Sequence, residues 1–125
     1  MNQQTPSSSD LPVRILVVDD HPTTATTLAR ALSQLGPRVE VLSATSGREA
    51  LERVESRAPD ILITDMIMPE MNGLELVEKL QNHPGGRPDH IILITAYDVP
   101  GLKESSRRMK VDEIIVKPVR PERIC

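Results

Sequence analysis

ILITDMIMPEMNG, Ile61 to Gly73, decides how the rest of the chain is read. An apolar run, Ile61-Leu62-Ile63, ends in an acidic residue, Asp65. Pro69, Asn72 and Gly73 then mark a loop, and a helical pattern follows. A short apolar run bounded by turn signals reads as a strand buried on both faces, as in the middle of a parallel sheet. Asp65 then stands at the carboxyl end of a central strand. In open α/β sheets that edge is where ligands bind. A carboxylate placed there is a poor packing group and a useful chemical one.

The same alternation extends outward in both directions. Towards the amino terminus, Ser46 and Glu49 have the spacing of a capping box, opening a helix to about Arg57 with Ala50, Val54 and Ala58 as its apolar stripe. Val39 to Leu42 is a short strand. Pro22 to Leu35 reads as a helix with Ala25, Leu28, Leu32 and Leu35 on one face, stopped by Gly36-Pro37. Val13 to Val18 (VRILVV) is a strand ending in Asp19-Asp20. Towards the carboxyl terminus, Gly73 to Leu80 is a helix with Leu76 and Leu80 on one face and Glu75 with Lys79 as an exposed pair. Residues 83–89 (HPGGRPD) are a loop, and Ile91 to Ile94 is an apolar strand ending at Thr95-Ala96. A largely polar helix over 100–109 is expected to be mobile or to face a partner. Glu113 to Val116 is a fifth strand, ending in Lys117-Pro118, and PERIC (121–125) opens a fifth helix cut short by the end of the chain. Strict alternation of strands and helices predicts an α/β fold, a parallel sheet covered on both faces.

Composition narrows the function classes. The 125 residues suffice for one domain with a core, which must be built from Leu, Ile, Val, Ala and Met because Phe and Trp are absent and Tyr97 is the single aromatic. A net charge of -3 argues against a general binder of nucleic acid or membrane surfaces. No apolar run approaches the roughly 20 residues of a membrane span, and no signal peptide is visible. A lone cysteine, Cys125, allows no internal disulfide, which fits a cytoplasmic protein. Residues 1–11 (MNQQTPSSSDL) read as a disordered leader ahead of a domain spanning 12–125.

A parallel sheet brings the carboxyl ends of its strands to one edge. Asp19-Asp20, Asp65, Thr95 and Lys117 should therefore meet in one shallow pocket. Each has a bland alternative taken singly, such as a capping aspartate, a strand threonine or a solvated lysine. In register they are hard to dismiss. Three adjacent carboxylates repel and call for a cation or a proton. A hard divalent ion with oxygen ligands, Mg²⁺ above all, suits them. A carboxylate beside that ion can attack phosphorus, while a lysine and a threonine hydroxyl hold other phosphoryl oxygens. The histidines His21, His83 and His90 are scattered and read as surface or capping residues. Met66, Met68 and Met71 read as loop packing.

With ILVVDDHP (15–22), ILITDMIMPEMNG (61–73), ILITAY (92–97) and IIVKP (114–118), residues 13–125 resemble the receiver domain of two-component response regulators. The resemblance implies a flavodoxin-like doubly wound sheet of strand order 2-1-3-4-5. It implies Asp65 as phosphoryl acceptor, Asp19 and Asp20 as Mg²⁺ ligands, and Ile67 giving its backbone carbonyl to the metal. Thr95 would be the switch hydroxyl, Lys117 the phosphate-pairing lysine, and Lys117-Pro118 a cis bond. The implied partners are a sensor histidine kinase and an output domain outside these residues. Apolar surface left by the short fifth helix would favour a homodimer.

Two departures stand out. Ile114 occupies the position where the family often has Tyr or Phe, which leaves Tyr97 as the only nearby aromatic. Ile67 and Tyr97, bulky residues flanking the site, would slow attack by water on the phosphoryl group. A phosphotransferase or phosphatase with an aspartyl nucleophile would commonly carry a second acid at position 67. A phosphorylation-independent interaction module would lack part of the acidic set.

Overall fold

The computed structural model describes residues 12–54, 58–83, 87–96 and 101–116. The leader, Tyr97, Lys117-Pro118 and the start of the fifth helix lie outside these residues. Five strands run β1 (Val13–Val18), β2 (Val39–Ala44), β3 (Ile61–Asp65), β4 (His90–Thr95) and β5 (Glu113–Val116). Between them lie α1 (Pro22–Ser33), α2 (Gly47–Arg53), α3 (Gly73–Gln81) and α4 (Leu102–Arg108). All pairings are parallel and the order is β2-β1-β3-β4-β5, the predicted doubly wound sheet.

Strand alternation divides the core between the two faces. Ile15, Val17, Ile63, Ile94 and Ile115 pack with Leu28 and Leu32 of α1. Leu16, Val18, Leu62 and Ile91 pack on the other face with Ala50, Val54, Leu76, Val77 and Leu80 of the α2 and α3 segments. Leu93 joins Met66 and Leu102 in a smaller cluster beneath α4. Apolar burial of this kind contributes about 25 cal/mol per Å² and dominates the stability of the fold.

Local signals explain most boundaries. Pro22 opens α1 at a position that needs no N–H donor. The helix ends at Ser33, before the expected Leu35, which is half exposed because its N–H already closes a tight turn onto the Leu32 carbonyl. The Ser46 hydroxyl accepts from Glu49 N–H at 3.0 Å, as expected of a cap. Its reciprocal bond is replaced. The Glu49 carboxylate accepts from Thr45 N–H at 2.7 Å and from the Thr45 hydroxyl at 3.1 Å. The Thr45 N–H bond above all, with the Thr45 hydroxyl and Arg53 adding to it, holds the Glu49 carboxyl below its ordinary pKa against the opposing effect of burial. A complete capping box sits instead at α3, where Asn72 and Glu75 exchange side-chain bonds of 2.9 Å with each other's backbone N–H.

The strands are also clasped at their amino-terminal edge. Asp60 accepts from Arg14 N–H at 2.8 Å and donates its own N–H to the Arg14 carbonyl at 2.9 Å. Asp112 does the same to Ile91, at 2.6 and 2.8 Å.

Candidate functional site

The opposite, carboxyl-terminal edge collects the polar groups. Register sets this up, since Val18 pairs with Thr64 and Asp65 with Ile94. The residues that follow β1 therefore lie beside the last residue of β3. Asp19, Asp20, Asp65 and His21 each offer one ligand atom, all within 4.8 Å of one another. Asp19 and Asp65 are buried, at 5% and 4% exposure. Thr95 ends β4 and is 1% exposed.

Backbone contacts fix this edge. Asp19 N–H donates to the Ala44 carbonyl at 3.1 Å, and Met66 N–H to the Ile94 carbonyl at 2.7 Å. Gly73 N–H donates to the Met66 carbonyl at 2.8 Å, which brings the start of α3 onto the end of β3. A Cβ on Gly73 would lie 2.5 Å from the Asp65 carbonyl oxygen and 3.0 Å from Met66 Cα, so only glycine allows this approach. The loop between bends at Glu70, whose φ of 70° is left-handed, with Met71 N–H donating to the Pro69 carbonyl at 2.7 Å. That is a strained γ-turn held beside the site.

The Asp19 carboxylate accepts from His21 N–H at 2.9 Å, which turns the chain from β1 into α1. Asp20 Oδ1 is a buried atom with no hydrogen-bond partner among the described residues. An unsatisfied buried carboxylate oxygen is costly unless a cation or donor comes to it. The donor set fits a hard divalent ion: carboxylates from two strand ends, with room for water on the exposed side. Asp19, Asp20 and Asp65 would hold it.

His21, a surface or capping residue by sequence, is exposed and stands at the N-cap of α1. It does cap α1, but through its backbone alone, with no side-chain capping bond. Its Nδ1 lies 3.3 Å from Asp19 Oδ1 and 3.2 Å from Asp20 Oδ1. The signal available was adjacency to the acidic pair. Ile67, two residues after Asp65, carries a half-exposed side chain on the loop. Lys117 lies outside the described residues.

Comparisons with known proteins agree with this architecture. The family model of the response regulator receiver domain matches residues 15–125. The chemotaxis protein CheY1 of Helicobacter pylori is 38% identical over 111 residues, covering 88% of this chain and 89% of that protein. The cyclic di-GMP phosphodiesterase response regulator RpfG of Xanthomonas campestris is 31% identical over 116 residues, 93% of this chain, but the match spans only 31% of RpfG. Among solved structures, Vibrio cholerae chemotaxis protein CheY4 superposes with a TM-score of 0.81 at 28% identity, covering 90% of this chain and 92% of that one. With its sheet order, its strand-end carboxylates and a family match running from β1 onward, the chain belongs to the response regulator receiver domain family.

Proposed function

We propose that this chain accepts a phosphoryl group on Asp65 and uses the modification to change the shape of the β4–α4–β5 side of the domain. The observation that carries the reading is the gathering of Asp19, Asp20 and Asp65 at one strand edge, with one buried Asp20 oxygen unpartnered. An Asp65 oxygen attacks phosphorus, and the bond from phosphorus to the donor's leaving atom breaks. The donor is a phosphohistidine of a sensor histidine kinase or a small acyl phosphate. Bound Mg²⁺ supplies charge neutralisation at the transferring oxygens. Asp19 and Asp20 would hold that ion together with Asp65 and the Ile67 carbonyl. Thr95 takes a phosphoryl oxygen by its hydroxyl, and Lys117 pairs with another.

The reading makes this a signalling domain rather than a metabolic enzyme. The position two residues after the acceptor is Ile67, with no second acid for a turnover phosphatase. Among relatives, the signal transduction histidine-protein kinase BarA of Shigella flexneri is 28% identical over 93% of this chain, a match spanning 12% of BarA. A similar unit thus forms part of a longer histidine kinase, and a histidine kinase and an output domain are the partners we assign. No helix among the described residues is long and apolar enough to cross a membrane. The cytoplasm, where a kinase would donate the phosphoryl group, is the compartment we assign.

Intact-mass analysis after incubation with an acyl phosphate, with and without Mg²⁺, tests this. One Mg²⁺-dependent phosphoryl adduct is expected, absent in Asp65→Asn. A folded protein that stays unmodified under every condition would replace this reading with a phosphorylation-independent interaction module.

A further inference from the structure

We propose that His21 is a nitrogen ligand of the strand-end cation site, which makes this a mixed carboxylate–imidazole site for first-row divalent ions and not for Mg²⁺ alone. The inference rests on the divalent-cation reading of Asp19, Asp20 and Asp65, and it adds the residue that sets which cation is preferred.

Spacing is the first argument. Donors about 2.1 Å from a divalent ion lie roughly 3.0 Å apart on an octahedral edge and roughly 3.4 Å apart on a tetrahedral one. His21 Nδ1 lies 3.2 Å from Asp20 Oδ1 and 3.3 Å from Asp19 Oδ1, between those values. The contact to Asp19 Oδ1 is itself a hydrogen bond, so the ring is already held against the acidic pair. The second argument is that Asp20 Oδ1 has no hydrogen-bond partner among the described residues although the ring nitrogen, hydrogen-bonded to Asp19 Oδ1, lies 3.2 Å from it. The third is that the side chain does nothing for the helix it begins, since α1 has no side-chain cap. The backbone holds it in place nonetheless, through the 2.9 Å bond from His21 N–H to Asp19 and through Pro22 at the first turn.

The chemistry follows from ligand preference. Mg²⁺ favours oxygen donors and keeps several waters. Imidazole suits the later first-row ions, whose affinity for nitrogen rises along the series from Mn²⁺. Adding His21 should therefore favour those ions over Mg²⁺ at an otherwise ordinary acidic cluster.

The test uses Mn²⁺ and the full chain. Electron spin-echo modulation reads directly whether nitrogen is bound to the ion. His21→Ser removes the nitrogen and keeps a good capping residue, so α1 should still start correctly. Wild type is expected to show nitrogen modulation that His21→Ser loses. Its Mn²⁺ affinity should fall on the order of tenfold, the scale of a perturbed ligand shell. Mg²⁺ affinity, read by competition, should move much less. Bound Mn²⁺ without nitrogen modulation in wild type, or modulation surviving in His21→Ser, overturns the inference and leaves the acidic site standing. Mn²⁺ that fails to bind, or binds unchanged to an Asp19→Asn/Asp20→Asn variant, overturns the acidic site itself and the inference with it.

Discussion

The two halves of the carboxyl-terminal edge are built differently. On the acidic half, Leu16, Val17, Val18, Leu62 and Ile63 are at most 1% exposed, and α3 is sealed by a full capping box and seated on the Asp65 backbone through Gly73. On the other half, α4 spans only Leu102–Arg108, starts from Gly101 without a side-chain cap, and buries just Leu102 and Ser106. The Ser106 hydroxyl is itself buried without a hydrogen-bond partner. Charges that must stay in place stand beside the capped and closely seated α3, while α4, which buries few of its own side chains, should open at a lower free-energy cost. A domain that answers phosphorylation by moving would move there.

Core truncation breaks or supports this contrast most directly. Leu76→Ala on α3, a residue with no exposed surface, should cost about 2–5 kcal/mol in urea unfolding. Leu102→Ala on α4 should fall at or below the bottom of that range, because among the described residues its cluster has only two other buried members. Equal losses at the two sites would end the contrast.

Glycine substitution comes next in size. Gly73→Ala presses a methyl group onto backbone atoms of Asp65 and Met66, an overpacking that costs about 1–3 kcal/mol. It should also reduce phosphoryl-adduct formation on Asp65. Gly47→Ala meets the Met71 sulfur at 2.6 Å, but a flexible thioether can withdraw, so the loss there should be below about 1 kcal/mol. Thermal melts of the pair would show whether backbone or side chain is the stiffer wall.

Ser106→Ala should act in the opposite direction. Removing an unpartnered buried hydroxyl is expected to stabilise by about 1 kcal/mol and to slow amide exchange across α4. Unchanged exchange would mean that α4 opening does not involve Ser106. The smallest effect belongs to Glu49. Its carboxyl is depressed in the folded state, so its contribution is present above the unfolded-state pKa and fades as pH falls through the lower folded value. In Glu49→Gln the acid limb of the stability profile should be slightly flatter than in wild type, and an identical limb would remove Glu49 from the account.

The fold was legible because short apolar runs closed by turn signals alternated along the chain with three- and four-residue helical spacing. The sheet order came from resemblance, and the hydrogen-bonded ladder bears it out. The α3 capping box was missed although Asn72 and Glu75 have the right spacing, because Gly73 drew attention as a loop signal. Gly73 in fact answers a long-range demand, close contact with Asp65, that no local pattern announces. The nearness of the His21 ring to the acidic pair was hidden for a related reason. A single histidine has no periodicity, and where its ring points is settled only when Asp19 and Asp20 are in place. Leu35 fitted the helical spacing, but the helix had already ended.

The aspartate clasps at the far edge carry a last consequence. Asp60 and Asp112 fix strand register from the end that has no chemistry. Register, and with it the facing of every side chain, therefore does not depend on the residues that would bind cation and phosphate. The reactive edge is free to be rewritten. A lineage could lose, duplicate or retune its acids, or add an imidazole beside them, without first having to reinvent the scaffold that presents them.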